Sequence, residues 1–487
     1  MMMGGMHRGG KESRFDSPPC GHGVTACGST LLFLALATVS SCATYAAKPI
    51  DPERTAEDFE ARGLNSDELT RWLRDEAHVE SAVPHTAWTL TELSFVAFYW
   101  HPDVLVARMH AETVTAGITT AAQRPNPTLG LDTEYASNAG VGVEPWILGF
   151  KLDFPIETGD KRELRSEVAR IGARIAENEA YATAWRVRIG VRRALAEVVL
   201  ADAALDLARS ERELRDERER ILEQRYAAGE ISRPDLTAAR IEATQAAIAS
   251  QTAEARTREM RGALAEALGA PAAALDGATF AWPSLDVLPE PPPAQSARRE
   301  ALHQRLDVAH ALLEYDLSEK TLQLEIEKQY PDVQLGPGYA WDQGQNKYSI
   351  GVSVPLSLMN QNEGPIAAAE AGRRETEARF LAIQARAIGQ IDAALRDYHE
   401  RRSVLDGTTR LAQAVRAQLV AAQARFDAGD ADRFGVIETR AQVAAIERQR
   451  FEALREAQFA LGALEEVLQR PLGEPEREHG APQAMKP

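Results

Sequence analysis

The sequence predicts an α+β membrane protein in which very long helices carry four short strands. Three observations predict it. Arg162 to Ala227 contains no proline and only two glycines, Gly172 and Gly190, and is rich in the strong helix formers Ala, Glu, Arg and Leu. Four segments of about ten residues alternate apolar with small or polar residues, the pattern of a strand with lipid on one side and water on the other. Turn residues also recur at a fixed offset: Pro155 and Pro355, like Gly229 and Gly429, stand 200 residues apart (355 − 155 and 429 − 229). The chain is therefore expected to be two copies of one structural unit.

The N-terminal segment reads as a signal. The apolar run within residues 29–41 is too short to span a bilayer, which takes about 20 residues. Arg8, Lys11 and Arg14 lie upstream, so residues 1–41 are expected to be a secretory signal peptide. Val39-Ser40-Ser41-Cys42 resembles the bacterial lipobox, which implies a covalent lipid on Cys42, and no cofactor is expected. Ala43, in place of Asp, is compatible with sorting to the outer membrane. Removing the signal would take Cys20 and Cys27 with it, leaving neither a disulfide framework nor an expected thiol catalyst.

Residues 42–86 are expected to form a lipidated strap, polar and Pro-containing at first, with helical pieces over 55–62 and 66–77. The first repeat spans 87–270. It opens with a helix capped by Thr89 or Thr91, and a second helix starts at Pro102 and ends at Arg124, because Pro125 and Pro127 follow. The first strand sets Leu129, Leu131, Thr133 and Tyr135 against Gly130, Asp132 and Glu134. The second sets Trp146, Leu148, Phe150, Leu152 and Phe154 against Lys151 and Asp153. The long helix follows. Its stripe is Leu164, Val168, Ile171, Ile175, Ala182, Trp185, Ile189, Ala196, Val199 and Ala203, interrupted by Asn178 and Arg192. At about 1.5 Å per residue it would reach about 100 Å, too long for a compact domain. A stiff, Pro-rich linker is expected over 271–296.

The second repeat spans 297–472. Its strands read as Val333–Asp342 and Tyr348–Leu356, and its long helix as Ile366–Phe426. Residues 473–487 are expected to be a disordered tail. Four strands cannot close a membrane barrel, which needs about eight, and an open edge in lipid leaves backbone groups unpaired. Strands that enter a membrane must be pooled from several chains.

The two glycine turns, Arg225 to Leu236 and Arg425 to Asp430, together with the strand pairs, make the chain similar to the TolC-like outer-membrane efflux channels. The resemblance implies a homotrimer in which four strands per chain build a twelve-strand β-barrel, continued by a long α-helical barrel across the periplasm. It implies periplasmic tips where an adaptor docks, on Arg225, Gly229, Ser232, Asp235, Arg425 and Gly429. It implies a tunnel constriction near Asp432 and Glu438, with Gly435 where a further acid is expected. The corners Phe154 to Arg162 and Val354 to Gly364 look like those of the heavy-metal (CzcC-like) branch. The function so implied is the outer-membrane exit channel of a tripartite efflux system for heavy-metal cations, lipid-anchored and partnered by an adaptor and an inner-membrane pump. The alternatives are a drug or organic-solute channel of the same fold, and a periplasmic coiled-coil adaptor lipoprotein without a pore.

No enzyme chemistry is expected. The net charge of −17, with acids and bases mixed along the helices, argues against a nucleic-acid partner. His303 and His310 stand seven residues apart on one expected helix, without metal-ligand spacing (310 − 303). No glycine-rich loop reads as a phosphate cradle. Asp132, Glu134, Asp153 and Asp342 would face the lumen, where acidic walls favour cations.

Overall fold

The computed structural model describes residues 45–77, 87–138, 140 and 142–472. The expected signal peptide, Cys42, Ala43, the tail 473–487 and parts of the strap lie outside the described residues. The chain divides into a unit ending at Glu57 and one beginning at Asp58. In the first, an exposed extended segment leads to Asp51, whose carboxylate accepts from the N–H groups of Glu53 (3.1 Å) and Arg54 (3.3 Å). This cap starts helix α1 (Pro52–Glu60) three residues before the expected position, with Pro52 in the first turn.

The second unit is built from two helix–hairpin–long-hairpin repeats. Helix α2 (Asp67–Asp75) is capped by Ser66 and buries Leu69 and Leu73. Helix α3 (Leu90–Trp100) begins at a capping box in which Thr89 N–H donates to Glu92 at 2.9 Å. Helix α4 (Pro102–Ala122) ends two residues short of Arg124, because its C-cap Gln123 is already extended ahead of Pro125. Strands β1 (Thr128–Tyr135) and β2 (Trp146–Ile156) follow. Helix α5 (Lys161–Ala227) then runs 67 residues and turns at Gly229 into α6 (Arg233–Leu268), of 36 residues. Gly269 closes α6 at φ +71°, and a Cβ there would sit 2.9 Å from His101 Cα, so both conformation and space require glycine.

The segment expected as a stiff linker is fastened to the helices. A short 3₁₀ turn at Ala272–Leu275 buries Ala274 and Leu275, and Phe280 bridges to Trp88. Further on, the Tyr398 hydroxyl donates to Pro289 O at 2.6 Å, and Arg402 pairs with Glu290.

The second repeat has helix α7 (Ala294–Gln304), helix α8 (Leu306–Glu327), strand β3 (Val333–Asp342) and strand β4 (Gln345–Ser353). Helix α9 (Glu363–Asp427) has 65 residues and α10 (Arg433–Leu468) has 36. The expectation of one helix carrying both histidines is overturned. The chain breaks at Arg305, extended at ψ 128°, so His303 ends α7 and His310 belongs to α8. Arg305 holds the break by donating to Asp307 (2.7 Å) and to Val467 O (3.0 Å).

The buried stripe of α5 includes the expected Leu164 and Ala196 but otherwise differs from expectation. Ala173, Ala176, Ala180, Ala184, Val187, Val191, Leu195 and Val198 are buried, whereas Val168, Ile171, Ile175, Trp185, Ile189 and Val199 are half-buried. The helix is covered from several sides, by α4, α6, α8 and α10, so no single stripe marks its contacts.

Arg192, read as an interruption, is 2% exposed and joins the repeats. Its Nε lies 2.6 Å from Glu465 of α10, itself 4% exposed. Its other nitrogens donate to Gln458 O and Oε1, both at 3.1 Å, and its guanidinium stacks 5.2 Å from the Trp282 ring centroid. Gly462 makes the room, since a Cβ there would meet Arg192 Nη1 at 2.6 Å. Burial lowers the Arg192 guanidinium below its ordinary range, and Glu465 opposes that shift. Breaking a buried pair strands the remaining charge. Glu465→Ala is therefore expected to cost about 3–5 kcal/mol, and Arg192→Leu/Glu465→Leu much less. Unfolding of the detergent-solubilised protein checks this, and equal losses in the two variants would contradict it.

Candidate functional site: the sheet and the paired helical tips

The four strands form one antiparallel sheet in the order β1-β2-β3-β4. Its register aligns the apolar positions of every strand. Leu129 faces Leu152, Leu131 faces Phe150, and Tyr135 faces Trp146. Phe150 faces Tyr339, Leu148 faces Trp341, and Phe154 faces Leu335. Tyr339 faces Tyr348, and Leu335 faces Val352. Because alternate side chains share a face, these residues make one continuous apolar surface. Phe150, Tyr339 and Tyr348 form an aromatic ladder across it, with centroid spacings of 5.6 and 5.4 Å. The surface is left exposed, as at Leu131, Ile350 and Val352. Within the chain, β1 and β4 each present an unpaired edge.

Strand β4 is displaced from the expected Tyr348–Leu356. The hairpin closes in two residues, Gln343 and Gly344, both at positive φ (51° and 89°), so the strand opens at Gln345 opposite Asp342. It ends at Ser353, two residues before Pro355, which has no N–H to donate.

This shift changes the polar face. Lys347 joins it and pairs with Asp342, while Lys151 pairs with Asp153 at 2.7 Å over the space left by Gly336. Two of the four acids expected to line a lumen thus carry lysine counterions, and Asp132 and Glu134 remain. Among the described residues no helix is long and apolar enough to cross a membrane, and no cluster of three or more metal-ligating side chains occurs.

The corner segments tie the sheet to the helices. Thr158 donates to Asp332 (3.1 Å) and Pro331 O (2.8 Å), and the buried Lys161 ammonium sits 2.6 Å from Asp332. Burial pushes the Asp332 carboxyl up, but Lys161 and the Thr158 N–H outweigh it and hold it below its ordinary value. Asn362, at φ 63°, donates to Glu325 O at 2.7 Å in the second corner.

At the far end, the two hairpins turn identically. Gly229 (φ +76°) and Gly429 (φ +81°) follow their long helices. Glu230 N–H returns to Arg225 O, and Asp430 N–H to Arg425 O, both at 2.9 Å. Their caps differ. Ser232 donates through N–H (3.1 Å) and Oγ (2.6 Å) to Asp235, whereas the Asp432 carboxylate accepts from Gly435 N–H at 3.0 Å.

Arg225 spans the two tips, 2.8 Å from Asp432 and 5.0 Å from the Phe434 ring centroid. Glu438 is engaged by Arg218 at 2.6 Å, and Arg218 also pairs with Glu242. Arg225 is thus brought together with Asp432, and Ser232 with Asp235, while Arg425 is exposed and engages none of the described side chains. Sequence reasoning missed Arg218 and Phe434. Arg218 lies one heptad before Arg225, on the same helical face, and Phe434 stands where the first repeat has Pro234.

Residues 99–270 match the family described as outer membrane efflux protein. This agrees with the TolC-like resemblance carried by the glycine turns. The chain is also 27% identical, over 285 residues, to the cobalt-zinc-cadmium resistance protein CzcC of Cupriavidus metallidurans. That alignment takes in 58% of this chain and 65% of CzcC, so the chain spans just under two thirds of that relative. The fold is shared with solved structures. The outer membrane protein VceC of Vibrio cholerae superposes with a TM-score of 0.62 at 18% identity, over 79% of this chain and 97% of VceC. The CmeC outer membrane channel of Campylobacter jejuni gives 0.60 at 16% identity, over 88% and 93%.

The tip caps carry a pH dependence. The Ser232 hydroxyl and N–H hold Asp235 below its ordinary value of 3.8, and the Gly435 N–H and then Arg225 do the same for Asp432. A depressed carboxyl stabilises the folded tip above its unfolded pKa, and that contribution is lost as pH falls through the folded one. Protection of the Ser232 and Gly435 amides from hydrogen exchange is expected to hold from pH 7 to about 5 and to fall below about pH 4. Asp235→Asn and Asp432→Asn should show reduced protection throughout. Protection unchanged in acid would contradict the assignment.

Proposed function

We propose that this chain is the outer-membrane exit duct of a tripartite efflux system. The observation that carries the reading is the sheet: one apolar face across four strands, bounded by two unpaired edges. In lipid each unpaired backbone group costs several kcal/mol, so such a sheet must close. Three copies would supply twelve strands, enough for a barrel where four are too few. Helices α5 and α9, about 100 Å long at 1.5 Å per residue, would continue that barrel as a tunnel through the periplasm.

In this reading the tips meet a periplasmic adaptor through Arg225, Gly229, Ser232, Asp235, Arg425 and Gly429, and an inner-membrane pump supplies the energy. Asp432 and Glu438 would lie near the closed end. Each has an arginine counterion within the chain, which makes that end a polar constriction rather than a bare acidic ring. A lipid on Cys42 would anchor the N-terminus in the outer membrane.

Heavy-metal cations are the proposed cargo. The similarity to CzcC supports this, together with the strand-to-helix corners that Asp332 and Asn362 hold. Deletion of the gene is expected to sensitise the host to cobalt, zinc or cadmium salts while leaving drug tolerance unchanged. Sensitivity to drugs and organic solutes alone would move the chain to the drug-efflux reading. The membrane fraction run unheated on a gel should show a trimer, and a monomer in the soluble periplasmic fraction would end the duct reading. Cys42→Ser should abolish fatty-acid labelling, and labelling that persisted would remove the anchor.

A further inference from the structure

The two repeats are offset by 200 residues at the tips, since α6 and α10 start at 233 and 433 and end at 268 and 468. Within the chain, α5 of the first repeat lies against α10 of the second. That seam is ionic. Arg448 meets Glu211 at 3.0 Å, Arg218 meets Glu438 at 2.6 Å, Arg225 meets Asp432 at 2.8 Å, and Arg455 meets Glu197 at 3.5 Å.

Applying the offset to this seam gives a second one, α9 against α6, that the chain cannot make with itself because both faces are open. Its side chains are different in kind. Glu211 and Arg448 become Leu411 and Ile248, which are 45% and 58% exposed. Ala441, buried on α10, becomes Ile241, 53% exposed on α6. Arg218 and Glu438 become Gln418 and Ala238, and Glu197 and Arg455 become Asp397 and Ala255. None of these pairs carries opposite charges. Ile241 and Ile248 are one heptad apart, so both lie on one face of α6, with the spacing of a helix–helix seam.

We propose that this open pair of faces is the contact between copies of the chain: Ile241 and Ile248 of one copy pack against Leu411 of the next. The same operation carries Arg225 and Asp432 to Arg425 and Ser232. Arg425, which engages no side chain among the described residues of its own protomer, then reaches the Ser232–Asp235 cap of the partner. The docking tip is thus assembled from two copies, each incomplete alone. The seam rests on the oligomeric duct proposed above and specifies which faces meet. The ionic seam holds a protomer's own hairpins together, and an apolar seam joins protomers. Burial of exposed isoleucine and leucine supplies the attraction between copies without the desolvation that an ion pair demands.

Cross-linking with a short bismaleimide in intact membranes tests this, using the full chain. Ile248→Cys/Leu411→Cys is expected to give covalent oligomers on a denaturing gel, and each single variant none. Glu211→Cys/Arg448→Cys should cross-link within one chain and leave the monomer mass unchanged. Adding Arg425→Glu should lower the intermolecular yield severalfold and leave the intramolecular control untouched. Intermolecular yield unaffected by Arg425→Glu would overturn the tip contact. A trimer on the unheated gel without a 248–411 cross-link, while the control pair reacts, would overturn the seam and leave the duct reading standing. Absence of any oligomer would overturn both.

Discussion

The ion pair between Arg192 and Glu465 is the contact on which the two-repeat architecture turns. It sits where α5 of the first repeat crosses α10 of the second, out of water, and hydrogen bonds extend from both partners. Gln458 accepts from the guanidinium and donates onward to Leu285 O, while Glu465 accepts from Leu472 N–H at 2.9 Å. The connecting segment between the repeats is thereby fastened to both of them. A pair of this kind contributes little net attraction, because desolvation offsets most of it. What it supplies is register. Sliding α10 along α5 would remove the carboxylate from the guanidinium and bring an ordinary side chain into the space that Gly462 leaves for it.

From that fixed crossing the structure extends in two directions. Towards one end lie the sheet and its corners, where Lys161, Asp332, Thr158 and Asn362 hold the strands to the helices. Towards the other lie the tips, where arginines of α5 bind acids of α10. Hydrophobic burial is modest for helices of such length, since the covered residues of α5 are mostly alanine and valine. Small side chains allow close approach of the helix axes, and the ion pairs along the flanks decide which helix lies against which.

Much of this was legible in the sequence because the signals were periodic. Proline-free runs gave the long helices to within three residues at either end, and alternation placed three of the four strands. The fourth was misplaced because Gln343-Gly344 is a weak turn signal beside the stronger Pro355, and with it the lysine that neutralises Asp342 was missed. The α5 stripe was mistaken for a related reason. A helix contacted on several sides has no single apolar phase, and its most buried polar residue, Arg192, reads as an interruption. The tip residues were legible as a motif, but their pairing was not. That Arg225 would find Asp432, 207 residues away, depends on how two hairpins lie together. No local pattern encodes such an arrangement.

The two return helices are equal, at 36 residues each, and the long helices differ by only two residues, 67 against 65. Both hairpins therefore end level. This matching constrains how the lineage can change. Loss or gain of a turn in one hairpin alone would leave one fingertip short of the other and put every flanking charge out of step with its mate. Length variation is admissible only as a paired event, the same number of residues in both halves, so the reach of the molecule can drift only while its internal symmetry is copied along with it.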